Sequence, residues 1–164
     1  MAWTAWRRRE FSRALIAGTV LPATALALAK DSALPVPASL PTIAEAASHL
    51  GEPLVLLVTL PGCPFCELVR RSYLLPARQD AGLQAWQLDV TNRTTVLLGF
   101  DGNLTTAALQ TRAWKASFTP TVLFLGARGQ ELAERLVGIA VPDFYGAYLE
   151  NRLATARKVL TVSR

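Results

Sequence analysis

The chain has only two cysteines, one histidine and one methionine in its 164 residues. Cys63 and Cys66 form a single Cys-x-x-Cys pair, so no cysteines are left to build a structural disulfide framework. A structural zinc site needs four ligands, and with His49 as the only histidine no complete set can be assembled from cysteine and histidine. The pair is therefore predicted to serve redox chemistry, with no metal site.

The sequence also lacks an uncharged apolar run of the ~20 residues that a membrane-spanning helix needs. Its N-terminal apolar run, residues 14–29, follows a cluster of arginines and ends in a small-x-small sequence, Ala27-Leu28-Ala29. A basic segment, an apolar core and such a cleavage site predict a secretory signal peptide over residues 1–29. An uncleaved membrane anchor at the same position is the alternative.

The basic part of this segment matches the twin-arginine export pattern, with the matching positions at Arg8, Arg9, Phe11 and Arg13. A Sec-type signal is the alternative, and both predict export to the periplasm. Removal of residues 1–29 takes away four arginines and one glutamate, so the formal net charge falls from +5 to +2. The remaining basic residues are scattered, which predicts no nucleic-acid partner.

The cysteines lie where a predicted buried strand passes into a helix. Residues 53–60 are a continuous apolar run rich in branched side chains, which is typical of a strand buried on both faces. A Pro-Gly pair ends the run and a helical pattern follows, with Pro64 suited to the first helical position. Cys63 is predicted to be the exposed thiol and Cys66 to lie one turn deeper. A thiol ionises readily at a helix start because unpaired backbone N–H groups favour the thiolate.

The rest of the chain predicts an α/β domain. Parallel βαβ units are expected in its first half and an antiparallel hairpin in its second. Apolar periodicity and turn residues predict, in chain order, a helix over 42–50, the buried strand, the cysteine helix, a strand over 83–90, a helix over 105–115, a strand over 118–126, an edge strand over 131–137 and a last helix from residue 142.

Several boundaries rest on local signals. Residues 30–41 contain three prolines and no periodicity, so they are predicted to be an extended leader before a domain over residues 42–164. Thr42 is predicted to cap the first helix in a capping box with Glu45, and the cysteine helix is predicted to end before Pro76. Residues 91–105 are polar and give no clear pattern, and the helix after them is predicted to bury three apolar residues, Leu104, Ala108 and Leu109.

From about residue 42 to residue 160 the chain resembles the thioredoxin superfamily. The features that match are the strand ending at Cys-Pro-Phe-Cys, the helix that follows it, Thr119-Pro120 before a later strand, and the closing hairpin with its helix. The resemblance implies a thioredoxin fold, with a central mixed sheet of about four strands flanked by helices. The 53 residues between Cys66 and Pro120 exceed the usual thioredoxin interval, which implies an inserted helix before the cis-proline strand.

The resemblance also implies roles for individual residues. Cys63 is the nucleophile and Cys66 the resolving thiol, and no cofactor is needed beyond their redox-active disulfide. Pro120 is the expected cis-proline and Thr119 the residue whose backbone pairs with a bound substrate chain. Two residues between the cysteines, Pro64 and Phe65, are predicted to contact the substrate as well.

The chain departs from thioredoxin in its active-site dipeptide, Pro-Phe, and at Leu57, which aligns with the buried aspartate of thioredoxins. An internal proton acceptor for Cys66 is therefore missing or supplied elsewhere. Together with the export signal, the sequence is most similar to single-domain periplasmic thioredoxin-like proteins associated with sulfur oxidation or cytochrome c assembly.

These features predict a periplasmic thiol–disulfide oxidoreductase that reduces a specific protein partner. With no third cysteine, the protein must exchange electrons with another protein, and a reductant in an oxidising periplasm needs a membrane donor. A disulfide oxidase or isomerase of folding proteins is one alternative. A non-enzymatic carrier that binds Cu(I) through two soft thiolates is another.

Overall fold

The structure is a computed structural model that describes residues 32–139 and 141–162. The predicted signal peptide lies outside the described residues. The helices are α1 (Leu40–His49), α2 (Pro64–Val69), α3 (Leu75–Ala81), α4 (Ala107–Ala113) and α5 (Tyr145–Val162). The strands are β1 (Leu54–Thr59), β2 (Ala85–Asp89), β3 (Val96–Leu98), β4 (Leu104–Thr106), β5 (Thr121–Leu125) and β6 (Glu131–Val137). None of these described helices combines the length and apolar character that crossing a bilayer requires.

Four strands form a mixed sheet in the order β2-β1-β5-β6. β1 and β2 are parallel, whereas β5 runs antiparallel to both β1 and β6. This confirms the predicted parallel unit, the closing hairpin and the edge position of β6. The short strands β3 and β4 pair only with each other and form a separate hairpin.

β1 is the centre of the core because both of its faces are buried. Val55 and Leu57 pack on the side of α2, α3 and α5, in a cluster with Phe124 of β5. Leu54, Leu56 and Val58 point to the opposite side, where they meet α1 and the segment that contains α4. Because both faces of this strand are covered by apolar layers, it needs apolar residues at nearly every position, which explains the apolar run in the sequence.

The helix that carries the second cysteine is longer than predicted. It continues from α2 through a π-helical turn, Arg70–Leu74, into α3, so it passes Pro76 instead of ending before it. The π turn shifts the hydrogen bonds by one residue, with the Leu75 N–H donating to the Arg70 carbonyl. Pro76 then falls at the second residue of α3, directly after this change in the hydrogen-bond pattern.

The first helix begins at Leu40, two residues earlier than predicted. Its N-cap is Ser39, whose hydroxyl accepts the Thr42 N–H at 3.3 Å, so Thr42 is inside the helix and the predicted capping box does not form. Part of the predicted leader packs on the domain: Leu34 is buried in the core, and the Ala38 carbonyl accepts the Leu98 N–H at 2.9 Å. The proline-rich segment is extended, as predicted, but it is attached to the domain at these points.

The inserted segment contains the predicted helix before β5, but its packing differs from the prediction. Residues that gave no clear pattern form the β3–β4 hairpin, and α4 starts after it with Thr106 as N-cap. Leu104 and Leu109 are exposed, whereas Ala107 and Thr111 are the buried residues of α4. The prediction of Leu104 and Leu109 as core residues was wrong, because Leu104 lies in strand β4 and α4 buries its smaller side chains instead of Leu109.

Candidate functional site

A disulfide joins Cys63 and Cys66 at the end of β1. A tight turn of three residues separates β1 from Cys63, and the Cys63 N–H donates to the Leu60 carbonyl at 3.2 Å. Cys63 is the N-cap of α2 and Pro64 its first residue, so the sequence forms the predicted strand–turn–helix junction. The redox pair is therefore fixed at one edge of the central sheet.

The two cysteines differ in accessibility. Cys63 is half-buried, whereas Cys66 has no exposed surface. The Cys66 N–H donates to the Cys63 sulfur at 3.2 Å. A hydrogen bond of this kind stabilises negative charge on the sulfur that accepts it. Only Cys63 is therefore placed to react with a disulfide from outside, and Cys66 can reach it from within.

A shallow apolar groove lies beside the disulfide. The peptide bond between Thr119 and Pro120 is cis, as the resemblance to the thioredoxin superfamily implied. The groove is lined by Phe65, Phe118, Thr119, Pro120, Val137, Gly138 and Ile139. Three of its side chains are more than half exposed in spite of their apolar character, at 56% for Phe65, 65% for Phe118 and 54% for Val137. Such an exposed apolar patch is typical of an interaction site.

The groove also presents unpaired backbone. Within the described part of the chain, neither the N–H nor the carbonyl of Thr119 makes a hydrogen bond, whereas the next carbonyl, that of Pro120, accepts the Gly138 N–H at 2.7 Å. An extended peptide could pair with these free groups as an added strand. Of the predicted substrate residues, Phe65, Thr119 and Pro120 meet in this groove, whereas Pro64 lies in the first turn of α2 outside its lining.

A buried arginine follows the pair on the cysteine helix, and sequence reasoning missed it. Arg70 is one helical turn after Cys66 and is only 7% exposed. Its guanidinium donates to the Thr59 hydroxyl at 2.9 Å, to the Gln87 side-chain oxygen at 2.8 Å and to the Glu67 carboxylate. These partners join the cysteine helix to the end of β1 and the middle of β2, so Arg70 holds the redox junction in place.

The same network acts on Glu67, the residue that follows Cys66. The hydrogen bond from Arg70 lowers the pKa of the Glu67 carboxyl, and Arg71 adds a second, more exposed ion pair at 3.1 Å. Glu67 is therefore ionised at neutral pH and bound to two arginines. Leu57 is fully buried in the core, and among the described residues the buried polar side chains include no carboxylate and no histidine. Within this described part of the chain, no buried acid therefore replaces the aspartate that thioredoxins carry at the position of Leu57.

Comparison with known proteins agrees with this geometry. A family profile described as Thioredoxin-like domain matches residues 40–153. A search of curated proteins finds no match to the sequence.

Several solved structures resemble the fold. Thioredoxin O2 from Arabidopsis thaliana, in its oxidized state, is 17% identical, with 74% of this chain and 96% of that chain covered and a TM-score of 0.49. Thioredoxin NaTrxh from Nicotiana alata is 16% identical, with coverage of 75% and 98% and a TM-score of 0.47. The periplasmic thioredoxin SoxS from Paracoccus pantotrophus, in reduced form, is 19% identical, with coverage of 64% and 99% and a TM-score of 0.40. These likenesses are too distant to indicate a substrate or a partner.

Proposed function

The chain belongs to the Thioredoxin-like domain family, and we propose that it is an exported thiol–disulfide oxidoreductase that reduces disulfides of a specific protein partner. The fold and the Cys63–Cys66 disulfide support thiol–disulfide chemistry in general. The observation that carries the proposal is the asymmetry of the pair, with Cys63 accessible beside an apolar groove and Cys66 buried behind it.

The reaction starts from the reduced pair. The Cys63 thiolate attacks one sulfur of the partner disulfide, which forms a mixed disulfide and releases the other partner sulfur as a thiolate. Cys66 then loses its proton and attacks the Cys63 sulfur, which releases the second partner sulfur. Two electrons pass to the partner, and the enzyme is left with the Cys63–Cys66 disulfide seen in the structure.

The residues of the groove position the partner for this attack. The free backbone groups of Thr119 pair with an extended segment of the partner, and the exposed rings of Phe65 and Phe118 cover its apolar side chains. A main-chain pairing of this kind gives affinity with little sequence preference. The groove therefore selects an accessible disulfide next to apolar residues.

The protein needs an electron donor after each turnover. Among its residues no third cysteine is available to reduce the pair, and the periplasm is kept oxidising. We propose that a membrane protein supplies the electrons, and that the N-terminal segment directs export through the twin-arginine or Sec route. The activity needs no other cofactor.

Substitution of each cysteine tests the mechanism on insulin disulfide reduction. Cys63→Ser is expected to lower the rate to the uncatalysed level, because the accessible nucleophile is lost. Cys66→Ser is expected to stop turnover after the first step and to accumulate a mixed disulfide with the substrate, visible by mass spectrometry. Reduction that survives Cys63→Ser would exclude Cys63 as the nucleophile.

Two alternatives use the same pair. An oxidase or isomerase would run the exchange in the opposite direction or in both, and the structure does not favour either. A Cu(I) carrier would gain from a nearby histidine, but His49 ends α1 before β1 begins, whereas the cysteines follow the far end of β1. A strand of this length spans about 20 Å, so His49 is out of reach of the cysteine sulfurs.

A further inference from the structure

A second pocket lies outside the groove and the disulfide. It is lined by Arg93, Thr106, Ala108, Leu109 and Arg112. Neither guanidinium has a hydrogen-bond or ion-pair partner anywhere in the described part of the chain. Of the arginines described, only Arg128 shares this property, and it lies in the turn between β5 and β6. Two unpartnered cations thus line one pocket.

The lining of this pocket carries positive charge and no carboxylate. The Asp89 carboxylate, at the end of β2, accepts hydrogen bonds from the backbone and hydroxyl of Thr91 at 2.8 and 2.7 Å. The Thr106 hydroxyl accepts the Leu109 N–H at 3.4 Å and keeps its own proton free to donate. The pocket therefore offers two guanidiniums and one hydroxyl donor to a negatively charged group.

The pocket is at the same edge of the sheet as the disulfide. β1 and β2 are parallel, so the segments that follow them leave the sheet at one edge. Cys63 follows β1 and Arg93 follows β2, and the two segments are joined by a hydrogen bond from the Val90 N–H to the Thr59 carbonyl at 3.0 Å. A hydrogen bond from the Ala108 N–H to the Asn92 carbonyl, also 3.0 Å, fixes α4 to the same segment.

The strand order places most of the apolar groove and this pocket on opposite sides of β1, the strand that leads to Cys63. Apart from Phe65, the groove is lined by residues just before β5 and at the end of β6. The pocket is lined by Arg93, which follows β2, and by residues of α4 and its N-cap. β2 and β5 are separated by two strand spacings, about 10 Å. One protein partner that buries about 800 Å² of this surface can cover both sites.

We propose that Arg93 and Arg112 form a docking pocket for acidic side chains of the protein partner whose disulfide Cys63 reduces. The inference rests on the proposed function, and it adds a substrate class: proteins with a carboxylate-rich segment beside the reactive disulfide. The pocket acts on binding, before the chemical step. Its charge raises the association rate with acidic partners and makes that rate sensitive to salt.

A set of matched peptides tests the proposal. Each oxidised peptide contains the same disulfide and apolar segment, and the peptides differ only in a flanking run of glutamates, glutamines or lysines. The second-order rate constant is measured with the pre-reduced protein by acid quench and mass spectrometry. The glutamate peptide is expected to react about three to ten times faster than the lysine peptide at low salt, and the difference is expected to shrink as ionic strength rises.

Charge reversal at single positions provides the control. Arg93→Glu and Arg112→Glu are each expected to remove or invert the preference, whereas Arg128→Glu makes the same charge change at the opposite edge of the sheet and is expected to keep it. All three side chains are on the surface, so the variants are expected to fold. A preference that Arg93→Glu and Arg112→Glu leave intact, or that Arg128→Glu removes equally, overturns the proposal.

Two further outcomes separate the pocket from the proposed function. Equal rates for all three peptides, with a rate that still depends on Cys63, overturn the pocket and leave the oxidoreductase standing. Loss of reduction of every peptide, including the glutamine peptide, overturns the oxidoreductase itself. Inorganic phosphate, added at constant ionic strength, is expected to slow only the glutamate peptide, because it competes with the carboxylates for the same arginines. Equal slowing of all three peptides would overturn the assignment of the pocket to carboxylate side chains of the partner.

Discussion

At the scale of a residue, the hydroxyl of Tyr145 is a buried group without a partner. Tyr145 is 2% exposed, its ring contacts Tyr73 at 5.1 Å between centroids, and its hydroxyl has no hydrogen-bond partner in the described structure. A buried hydroxyl that is not hydrogen-bonded costs about 1–3 kcal/mol. Tyr145→Phe is therefore expected to leave the free energy of unfolding unchanged or to raise it by about 1 kcal/mol in urea titrations.

Tyr73→Phe is the matched control for this substitution. It keeps the ring pair but removes the hydrogen bond from the Tyr73 hydroxyl to the Pro142 carbonyl, 3.3 Å long and exposed. A small loss of about 0.5 kcal/mol is expected. If Tyr145→Phe lowers the free energy of unfolding by more than Tyr73→Phe does, the Tyr145 hydroxyl has a partner and this account of the core is wrong.

Burial raises the pKa of the Tyr145 phenol, which gives a second prediction with a fixed sign. The unfolded chain releases the phenol proton near pH 10, whereas the folded protein retains it to higher pH. Above about pH 10 the folded state therefore binds more protons, and the free energy of unfolding falls as pH rises. Urea titrations at about pH 8 and about pH 10.5 are expected to show a smaller fall for Tyr145→Phe than for the unsubstituted protein.

Single residues also show how far the sequence predicts the site. The cysteines and the accessible Phe65 follow from a short motif whose geometry is local to a strand–turn–helix junction, and the cis-proline follows from the resemblance to the thioredoxin superfamily. Arg70 could not be found in this way, because its burial depends on Thr59 and Gln87, which reach it from two other elements. The one signal in the sequence is its spacing, a helical turn after Cys66 and on the same face.

At the scale of an element, Arg70 joins the cysteine helix to β1 and β2. Arg70→Met keeps much of the side-chain volume but leaves the buried Thr59 hydroxyl and the Gln87 amide oxygen without their donor. Removing one side of a buried charged network costs about 3 kcal/mol. We expect a loss of this size in the free energy of unfolding, measured by urea titration of the oxidised protein.

Arg71→Met is the control for Arg70→Met, since Arg71 bonds the same Glu67 from the surface. Its side chain is 67% exposed, and an exposed ion pair contributes at most about 1 kcal/mol. A change within about 0.5 kcal/mol is expected. Equal losses for both variants would show that the Glu67 ion pairs matter and that the buried hydrogen bonds of Arg70 do not.

A second prediction at this scale concerns the contact between the inserted hairpin and the β5–β6 turn. A Cβ atom at Gly129 would lie 2.6 Å from the ring of Phe100, which follows β3. Gly129 also has a φ of +78°, as has Gly102, where a Cβ would meet nothing. Gly102→Ala is expected to cost about 1 kcal/mol from backbone strain alone. Gly129→Ala is expected to cost about 1–3 kcal/mol more, because the aromatic ring must move.

Thermal and urea unfolding of the two alanine variants check this difference. Equal losses would show that Phe100 moves aside freely and that the hairpin is only loosely attached. The elements themselves show why the hairpin escaped prediction: three-residue strands are too short for a period of two to be recognised. The prediction that the cysteine helix ends before Pro76 was wrong for a different reason. The π turn that precedes the proline has no sequence signature of its own.

At the scale of the whole molecule, the two fully buried strands of the central sheet follow from the sequence, because β1 and β5 are buried on both faces and give unbroken apolar runs. The placement of the apolar groove and the arginine pocket at the same edge of the sheet does not follow from the sequence. The arginine pocket needs the segment after β2 and helix α4 to meet at the edge where Cys63 lies, and residues 93 and 112 carry no motif that predicts this. Long-range placement, rather than local pattern, sets what the redox edge can bind.

The direction of electron flow is also a property of the whole molecule and its surroundings. A pair without a third cysteine takes the redox state that its partners impose, and an oxidising periplasm drives an isolated pair to the disulfide. A protein that reduces a specific partner must therefore be held reduced by a dedicated donor.

The redox state of the pair in the native host tests this argument. Cells are quenched with acid, free thiols are alkylated and the periplasmic fraction is separated. The Cys63–Cys66 pair is expected to be mostly reduced. A Cys63→Ser, Cys66→Ser double variant marks the position of the unalkylated protein. A mostly oxidised pair would contradict the reductant and favour disulfide donation to folding proteins, and absence of the protein from the periplasmic fraction would contradict its export.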